Sequence, residues 1–395
     1  MSQCKKILIF IFALAVICCF VYFIINSSKN NVAKPSESKN TAALEQNDDT
    51  VLRILTGEGH TPSDFVEKFE KQILKKYGRD VKLKIEYLTG EDSFWYDAVR
   101  GKNADIVLLT HHHFKDERYS CIKNGLLLPL DLKNIPGFLN VIPELQKSEY
   151  LLSDGKIYGS PVSQGPYGLV YNSAMLTTEP KSWNALWAPE FKGKYVIGAN
   201  EYLYTANITA LALGYSRENL NSFDVLNNHE FKAKLRQLAV NAHSFWIGVD
   251  KPENLSGMPL ATSWGDSLGP LNKQGEPWKM AEPIEGMPCW IDNYAITWAL
   301  ADKPFLKKVA EEYINALLSR DYQVGHIMRK MSLTPIITNI NDLLTEEEKR
   351  GIHLGIPDFF DSNRILLPTY TERDRNGLKM MWDEAMKGID IEGRK

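Results

Sequence analysis

The stretch VLRILTGEGHTPSDFVEKFEKQILKKYGRDVKLKIEYLTGEDSFWYDAVRGKNADIVLLT (51–110) decides the fold class, because apolar patterns of two different periods alternate along it. Apolar residues from Phe65 to Tyr77 recur on one face of a helix that Thr61 is expected to cap and Gly78 to end. The segment VKLKIEY has the period-two pattern of a strand. Three strands and two helices are predicted, at 51–57, 61–78, 81–87, 93–102 and 104–110. Strands separated by helices pair in parallel, so an α/β sheet is expected.

Polar residues follow the ends of these strands, in the segments TGEGH (56–60), LTGED (88–92) and THHHF (110–114). Ligands of open α/β sheets bind beyond the carboxyl ends of the strands, so these segments are expected at a cleft. If THHHF continues the strand, His112 faces away from its two neighbours, and the three histidines cannot reach one ion. A metal site would then need a further ligand from Glu58, His60 or Asp292. Two other interpretations stay open, in which His112 is a neutral polar group of a small-molecule cleft or lies on the surface.

A second α/β unit follows the first along the chain. Its strands are predicted at 168–172, 193–200 and 259–264, and its helices around 204–215 and 230–242. A further helix is predicted to begin near Phe305. A chain of 395 residues is too long for one ordinary core, so two lobes with a ligand cleft between them are expected.

Composition and motifs exclude several classes of function. The formal net charge is −3, and the sequence has no Lys/Arg-dense stripe, so nucleic-acid binding is not expected. The sequence contains no Gly-rich phosphate loop, no G-x-S-x-G and no H-E-x-x-H, so neither catalytic residues nor a cofactor is expected. Cys121 and Cys289 either form one disulfide or remain two buried thiols.

The N-terminal residues predict export. Lys5 and Lys6 precede the uncharged stretch ILIFIFALAVICCFVYFII (7–25), which as a helix would span about 28 Å. We expect residues 1–26 to be a signal peptide or a membrane anchor, and residues 27–50 to be a flexible linker. The remainder is expected in the periplasm or another extracytoplasmic space, anchored to the inner membrane if 7–25 is retained.

Five sequence blocks in a fixed order resemble a known family. They are SPVSQGPYGLVYN (160–172), PKSWNALWAPEFKGKYVIG (180–198), SWGDS (263–267), EGMPCWIDNYAI (285–296) and AEEYINALLSRD (310–321). With them, the chain from about 51 to 390 resembles periplasmic solute-binding proteins of ABC importers, closest to the spermidine/putrescine-binding group. The resemblance implies an α/β, two-lobed periplasmic-binding-protein fold of type II, with two crossing strands near 158–168 and 285–292 and a ligand cleft between the lobes.

The resemblance also implies how the chain divides between the lobes. Residues 51–160 and 285–340 would form lobe 1, residues 161–284 would form lobe 2, and residues 341–395 would be C-terminal helices packing across both lobes.

Matching positions to the family implies a set of ligand-binding residues. Trp264 and Trp290 match two cleft tryptophans, and Asp292 matches an aspartate that contacts amines, although each has a structural alternative in the core or at a helix cap. Asn200 matches a position that normally carries an acid, with Glu201 beside it. The other candidates are Tyr167, in the right neighbourhood, and His60, Thr110 and His112, at positions where this chain departs from the family.

The departures leave open how a charged ligand would be neutralised. A diammonium ligand would lose one or both counter-charges unless Glu58, Glu201 or Asp266 replaces the missing acids.

The resemblance implies a binding protein that captures a small organic ligand, with a polyamine-like amine as the leading candidate, and passes it to an ABC permease. We expect a monomer. Two alternatives stay open: a ligand-sensing partner of a membrane signalling protein, and a metal-delivery protein that uses His60 and the histidine run.

Overall fold

The computed structural model describes residues 50–88, 92–352 and 364–391. The predicted export segment at 1–26 and the linker up to residue 49 lie outside the described residues. Among the described helices, none is both long enough and apolar enough to cross a membrane.

Most strands lie in one of two sheets. In chain order they are β1 (Val51–Thr56), β2 (Lys82–Tyr87), β3 (Ile106–Thr110), β4 (Leu127–Leu128), β5 (Leu152–Ser153), β6 (Lys156–Ile157), β7 (Ser160–Pro166), β8 (Gly168–Asn172), β9 (Tyr195–Gly198), β10 (Ser244–Trp246), β11 (Leu260–Ser263), β12 (Trp278–Met280), β13 (Met287–Thr297) and β14 (Arg364–Leu366).

The longer helices are α1 (Ser63–Tyr77), α2 (Asp92–Arg100), α3 (Tyr202–Ala212), α4 (His229–Asn241), α5 (Pro304–Leu317) and α6 (Glu372–Met386). A π-helix spans Asp321–Met328. Short α-helices span Pro143–Gln146, Phe223–Leu226, Pro252–Leu255, Leu268–Lys273 and Glu346–Gly351. Short 3₁₀ turns span His111–Phe114, Leu132–Asn134, Pro136–Asn140, Trp183–Trp187, Pro189–Phe191, Arg217–Asn219, Trp298–Leu300 and Asn341–Leu343.

The first sheet has the order β14-β13-β3-β1-β2, with β4 and β7 also paired to β13. The pairs β1–β2 and β1–β3 are parallel, which confirms the prediction from the helix-separated strands. The second sheet has the order β10-β9-β11-β8-β12 and contains the strands predicted for the second unit. Two sheets, each covered by helices, give the two-lobed arrangement.

The chain passes between the sheets at short segments. Tyr167 alone separates β7, in the first sheet, from β8, in the second, and its N–H donates to the carbonyl of Pro288 (2.8 Å). The return passes through residues 281–286, after which all of β13 lies in the first sheet. Gly286 still accepts a hydrogen bond from the indole of Trp183 in the second lobe, and Met287 already pairs with Arg364 in the first sheet, so the second crossing falls within the range 285–292 that the resemblance implied.

Helix α6 contacts structure on both sides. The guanidinium of Arg375 pairs with both carboxylate oxygens of Asp116, which follows β3 and the 3₁₀ turn of the first lobe. The indole N–H of Trp382 donates to the carbonyl of Ala199 in the second lobe (2.7 Å). A substituent at Gly377 would meet the ring of Phe223, so the glycine lets α6 lie close against the second lobe.

The predicted cap of the first helix is wrong. Pro62 occupies the N-cap position of α1 without a side-chain hydrogen bond, and the hydroxyl of Thr61 bonds instead to the hydroxyl of Tyr313 (2.8 Å). A buried tertiary partner has replaced the local one, because leaving either hydroxyl unbonded in the core would be costly. Gly78 ends α1 in the left-handed conformation (φ 65°), as predicted.

The two cysteines of the described part are free and buried. Burial raises the pKa of both the Cys121 and the Cys289 thiols to about 12. Of the two alternatives left open by the sequence, the structure has the buried thiols.

Candidate functional site

Five aromatic rings from both lobes meet between the two sheets: Tyr167, Tyr204, Trp246, Trp264 and Trp290, called here the aromatic cluster. Trp264 lies at its centre. Its ring centroid is 4.9 Å from that of Tyr167, 4.8 Å from that of Tyr204, and 6.1 and 6.5 Å from those of Trp246 and Trp290. Rings at these distances and angles pack edge to face, so the cluster joins aromatic side chains of both lobes.

A buried carboxylate holds Trp264 in place. Asp250 accepts hydrogen bonds from the backbone N–H of Trp264 (2.8 Å), the hydroxyl of Ser263 (2.8 Å) and the backbone N–H of Ser267 (3.3 Å). The indole N–H of Trp264 donates to the carbonyl of Gly248 (3.1 Å). Sequence reasoning missed Asp250, since nothing local shows that its carboxylate reaches the turn after β11.

Trp290 lies over a glycine of the neighbouring strand. In the β7–β13 ladder Trp290 is opposite Gly165, and a β-carbon at position 165 would come within 2.7 Å of the indole ring. A glycine inside a strand marks such a close approach, and this signal was available in the sequence. Trp290 is 9% exposed, and its buried indole N–H has no hydrogen-bond partner among the residues that the structure describes.

Asp292 lies two residues further along the same face of β13. Its register partners are Thr110 on β3 and Ser163 on β7. The hydroxyl of Thr110 donates to its carboxylate (3.1 Å). Burial raises the pKa of Asp292 to about 6, and the Thr110 hydrogen bond and the nearby His113 oppose that rise. Within the described part of the chain, no lysine or arginine pairs with this carboxylate.

Asp266 contributes a second acid from the opposite lobe, two residues after Trp264. Burial raises its pKa to about 7, and the negative charges of Asp250 and Asp292 add to the rise. Its carboxylate forms no ion pair with any residue in the described ranges. Asp292 is thus near enough to raise the pKa of Asp266, and within the described ranges each acid lacks the cation that would compensate for its burial.

The loop after β9 places Glu201 beside the cluster and leaves Asn200 exposed. A β-carbon at Gly198 would meet Cγ of Glu201 at 2.7 Å and the ring of Trp246 at 3.0 Å, so the glutamate packs back toward the rings. Burial and then the charge of Glu201 raise the pKa of the Tyr204 phenol. For Asn200 the described residues provide no hydrogen bond to the cluster.

Tyr167 is fully buried, and its hydroxyl is hydrogen-bonded to that of Thr262 (2.7 Å). Its ring therefore packs in the aromatic cluster, and its hydroxyl is bonded to a residue of the second lobe.

His60 lies on the first-lobe side of the cleft. Its ring is buried, Nε2 is 3.5 Å from the hydroxyl of Ser163, and a β-carbon on Gly57 would come within 3.0 Å of Nδ1. Burial lowers the pKa of His60 to about 4, with a further lowering from His326. At neutral pH the ring is uncharged, and Ser163 connects it to the strand position opposite Asp292.

The histidine run does not continue β3, so the alternation of rings argued for a continuing strand does not apply. Residues His111–Phe114 form a 3₁₀ turn. His111 is buried and uses both ring nitrogens, because Nδ1 accepts from the N–H of Ile291 (3.2 Å) and Nε2 donates to the carbonyl of Leu367 (2.8 Å). Its role in the structure is to connect β13 to the segment after β14.

The other two histidines pack edge-on or tilted beside it. The ring centroid of His112 is 5.4 Å from that of His111 and 4.2 Å from that of His113, which in turn lies 5.4 Å from Trp95. Across residues 50–88, 92–352 and 364–391, no group of three or more His, Cys, Asp or Glu side chains is arranged to hold a metal ion. The metal interpretation therefore lacks a ligand set in this part of the chain.

The structure thus brings Trp264, Trp290 and Tyr167 into one cluster, with Asp292 and Thr110 bonded to each other at its edge. Glu201 packs against the same cluster. His60 approaches Ser163 of the first lobe, His112 lies between His111 and His113 in the 3₁₀ turn after β3, and Asn200 is exposed in the loop after β9.

Comparison with known proteins assigns the chain to a family. The sequence profile of the bacterial extracellular solute-binding proteins matches residues 101–363, about two thirds of the chain. The chain is also 22% identical, over 342 residues, to the spermidine/putrescine-binding periplasmic protein of Escherichia coli (strain K12), an alignment that covers 81% of this chain and 90% of the relative.

Solved structures agree in fold. The substrate-binding protein of a spermidine/putrescine ABC transporter from Streptococcus pneumoniae superposes with a TM-score of 0.68 at 18% identity, covering 86% of this chain and all of that chain (100%). A Listeria monocytogenes structure with a provisional assignment to a spermidine/putrescine ABC transporter gives a TM-score of 0.69 at 18% identity, covering 86% and 99%. These likenesses confirm the two-lobed periplasmic-binding-protein fold. From the profile match, the chain belongs to the family of bacterial extracellular solute-binding proteins.

Proposed function

We propose that this solute-binding protein captures a polyamine, a flexible chain with two or more ammonium groups, between its two lobes. Trp264 and Trp290 would contact the alkyl chain and the ammonium groups through their ring faces. Asp266 and Asp292 would neutralise the ammonium charge from opposite lobes. The walls and rim of the cleft would be completed by seven further residues: Glu201, Thr110, Ser163, His60, His112, Tyr167 and Asn200.

The observation that carries the proposal is the pair of unneutralised carboxylates beside the aromatic cluster. Burying a neutral polar group without a hydrogen bond costs about 2–7 kcal/mol. Burying a charged carboxylate also costs several kcal/mol unless a cation or hydrogen bonds compensate. Thr110 supplies one hydrogen bond to Asp292, and the described residues supply no cation to either acid. A cationic ligand removes this cost when the lobes close around it, whereas an anionic ligand would increase it.

Asp266 answers the question raised by the altered loop after β9. The position matched by Asn200 lacks an acid and its side chain is exposed, whereas Asp266 would bring a carboxylate to the cleft from the turn that holds Trp264. Ligand binding would favour the closed arrangement because residues of both lobes then share one ligand.

The names of the relatives support the same ligand class, since the Escherichia coli protein is named for spermidine and putrescine binding. We infer further that the protein delivers its ligand to an ABC permease as a monomer, in the periplasm or another extracytoplasmic space. Residues 7–25 would then serve as the export signal or as an anchor that keeps the protein near the permease.

A thermal-shift screen of the full-length protein in mild detergent tests the proposal. A ligand that binds the folded state at about 100 times its Kd stabilises it by about 2.7 kcal/mol. Spermidine and putrescine should raise the melting temperature, and neutral sugars and acidic amino acids should not. A rise with Zn²⁺ or with neutral solutes, and none with polyamines, would contradict it.

A further inference from the structure

A basic groove runs along the outer side of the first lobe, between α1, α5 and the π-helix. It encloses a cavity of about 1010 Å³, whose floor includes the rings of Phe65, Phe69 and Tyr322. The groove is therefore large enough for several side chains, and its floor is apolar.

The charge of this groove is opposite to that of the whole chain. Six Lys or Arg residues and three Asp or Glu residues line the groove, whereas the chain as a whole carries a formal charge of −3. The basic residues come from sequence-distant segments, which is why the sequence shows no basic stripe.

Three of these cations lack a counter-charge. These cations are Lys68 on α1, Lys308 on α5, and Lys133 in the 3₁₀ turn Leu132–Asn134. All three are exposed, and none forms an ion pair with another residue of the described part.

Of the three acids on the walls, Glu312 is buried and paired with Lys76 (2.9 Å), Asp64 lies 3.8 Å from the ammonium of Lys330, and Asp321 is exposed without an ion pair in the described part. The groove therefore keeps an excess of positive charge above its aromatic floor, and the ammonium of Lys308 lies over the ring of Tyr77 (5.3 Å from Nζ to the ring centroid).

The groove is bonded to the ligand cleft. Tyr322, on the π-helix, donates its hydroxyl hydrogen to the carbonyl of His60, and a ring nitrogen of His326 lies 2.7 Å from the carbonyl of Gly59. Both of these side chains line the groove, and both carbonyls belong to the loop that carries His60 into the cleft. π-helical turns are frequent at functional sites.

We propose that this groove binds an acidic peptide segment of a partner protein, one that combines carboxylates with an apolar side chain. Carboxylates would pair with Lys68, Lys133 and Lys308, and the apolar side chain would lie on the aromatic floor. A concave groove suits an inserted chain, whereas a flat membrane surface could reach only its rim. If the proposed function holds, the permease is the partner expected to carry this segment.

A binding assay with charge-reversed variants tests the proposal. The probe is a fluorescein-labelled peptide, Glu-Glu-Phe-Glu-Glu-Leu, titrated by fluorescence anisotropy with the full-length protein in mild detergent. The triple variant Lys68→Glu/Lys133→Glu/Lys308→Glu should bind the peptide at least about tenfold more weakly, because three attractions become repulsions.

The matched control reverses three exposed lysines of the second lobe, in the variant Lys192→Glu/Lys194→Glu/Lys232→Glu. Both variants have the same net charge, so a general charge effect would weaken both equally. Loss confined to the groove variant supports the proposal. Equal loss in both, or no binding by the wild type, overturns it. Vesicles of phosphatidylglycerol that bind through the same groove lysines, when the peptide does not bind, would assign the groove to a membrane instead.

The bonds between groove and cleft predict a second result. Peptide and spermidine should change each other's affinity by the same factor, as thermodynamic linkage requires. Saturating spermidine that leaves peptide affinity unchanged would overturn the coupling. The peptide titration without spermidine does not depend on the cleft, so failure of the polyamine proposal and failure of the groove proposal are distinguishable.

Discussion

The rings of Trp264 and Trp290 lie 6.5 Å apart at an interplanar angle of 79°, although Trp264 follows a strand of the second sheet and Trp290 lies within a strand of the first. The two lobes therefore meet through aromatic surface. A ligand bound there would touch both lobes at once, so its binding energy would be coupled to lobe closure.

Replacing Trp290 with alanine should weaken spermidine binding by about 2 kcal/mol, or about thirtyfold, because a ring face for the ammonium chain is lost. Isothermal titration calorimetry measures the effect. Trp187→Ala is the control, since this partly buried tryptophan of the second lobe bonds to the carbonyl of Lys234 and not to the cluster. Equal affinities of Trp290→Ala and wild type would remove Trp290 from the site.

Replacing Asp266 or Asp292 with asparagine should stabilise the ligand-free protein at pH 7–8 while weakening polyamine binding. Burial raises the pKa of both carboxyls, to about 7 and about 6. The folded state therefore binds more protons than the unfolded chain between about pH 4 and 7, so these two groups lower the free energy of unfolding as the pH rises. Asparagine carries no charge and removes this loss.

Thermal melts of the wild type and the Asp292→Asn variant, from pH 5 to pH 8 without ligand, check the sign. The melting temperature of the variant should exceed that of the wild type by an amount that grows with pH. A difference that shrinks as the pH rises would mean that Asp292 is stabilised as a charged group, contrary to its environment in the structure.

His111 should be essential for stability and irrelevant to metal binding. Replacing it with alanine leaves the N–H of Ile291 and the carbonyl of Leu367 without partners, which should cost about 2 kcal/mol in the free energy of unfolding. Urea denaturation measures this cost, with the exposed His243→Ala as the control. A cost as small as that of His243→Ala would contradict the role assigned to His111.

The same residue predicts a pH effect of opposite sign to that of the two acids. Burial lowers the pKa of His111 from 6.5 to about 4. The unfolded chain therefore binds a proton that the folded state does not, and the stability contributed by the neutral ring is complete above about pH 6.5 and is lost toward pH 4. His111→Ala should remove this part of the acid sensitivity.

Gly165→Ala should weaken spermidine binding indirectly, through the position of Trp290. The added β-carbon would come within 2.7 Å of the indole of Trp290, so the ring must move, at a stability cost of about 1–3 kcal/mol for overpacking. Spermidine affinity should fall together with Tm. Gly351→Ala, at a position with open space around the added carbon, should change neither. Unchanged affinity in Gly165→Ala would mean that the position of Trp290 does not matter for the ligand.

Local pattern was enough to predict the elements that carry the fold. The strand at 168–172 was predicted with its bounds as they stand in the structure, and the helices around 204–215 and 230–242 correspond to Tyr202–Ala212 and His229–Asn241. The strand is a short apolar run that is buried at every position, and the helix Tyr202–Ala212 is longer and buried on all sides, so length rather than period distinguishes the two. The parallel pairing followed from their order along the chain.

Tertiary partners decided the features that local pattern could not predict. Threonine is a common helix N-cap residue, but the hydroxyl of Thr61 is hydrogen-bonded to that of Tyr313, more than two hundred residues away. The histidine run forms a turn in which His111 reaches Ile291 and Leu367, and no local pattern encodes either contact.

The candidate site depended in the same way on long-range contacts. Trp264, Trp290 and Asp292 entered through the family resemblance, whereas Asp250 was missed because its hydrogen bonds to the turn after β11 span more than ten residues. Asp266 was considered only as a substitute acid, and its burial near Asp292 became apparent from the structure.

The most direct test of the central claim is the pH dependence of spermidine binding, measured by isothermal titration calorimetry from pH 5 to pH 8.5. If Asp266 and Asp292 receive the ammonium groups, affinity should fall by at least about tenfold as the pH drops through their raised pKa values, since each protonation removes an attractive charge. The Asp266→Asn/Asp292→Asn variant should bind weakly, with little pH dependence. Tight binding that is independent of pH in the wild type, and unchanged in the double variant, would contradict the account.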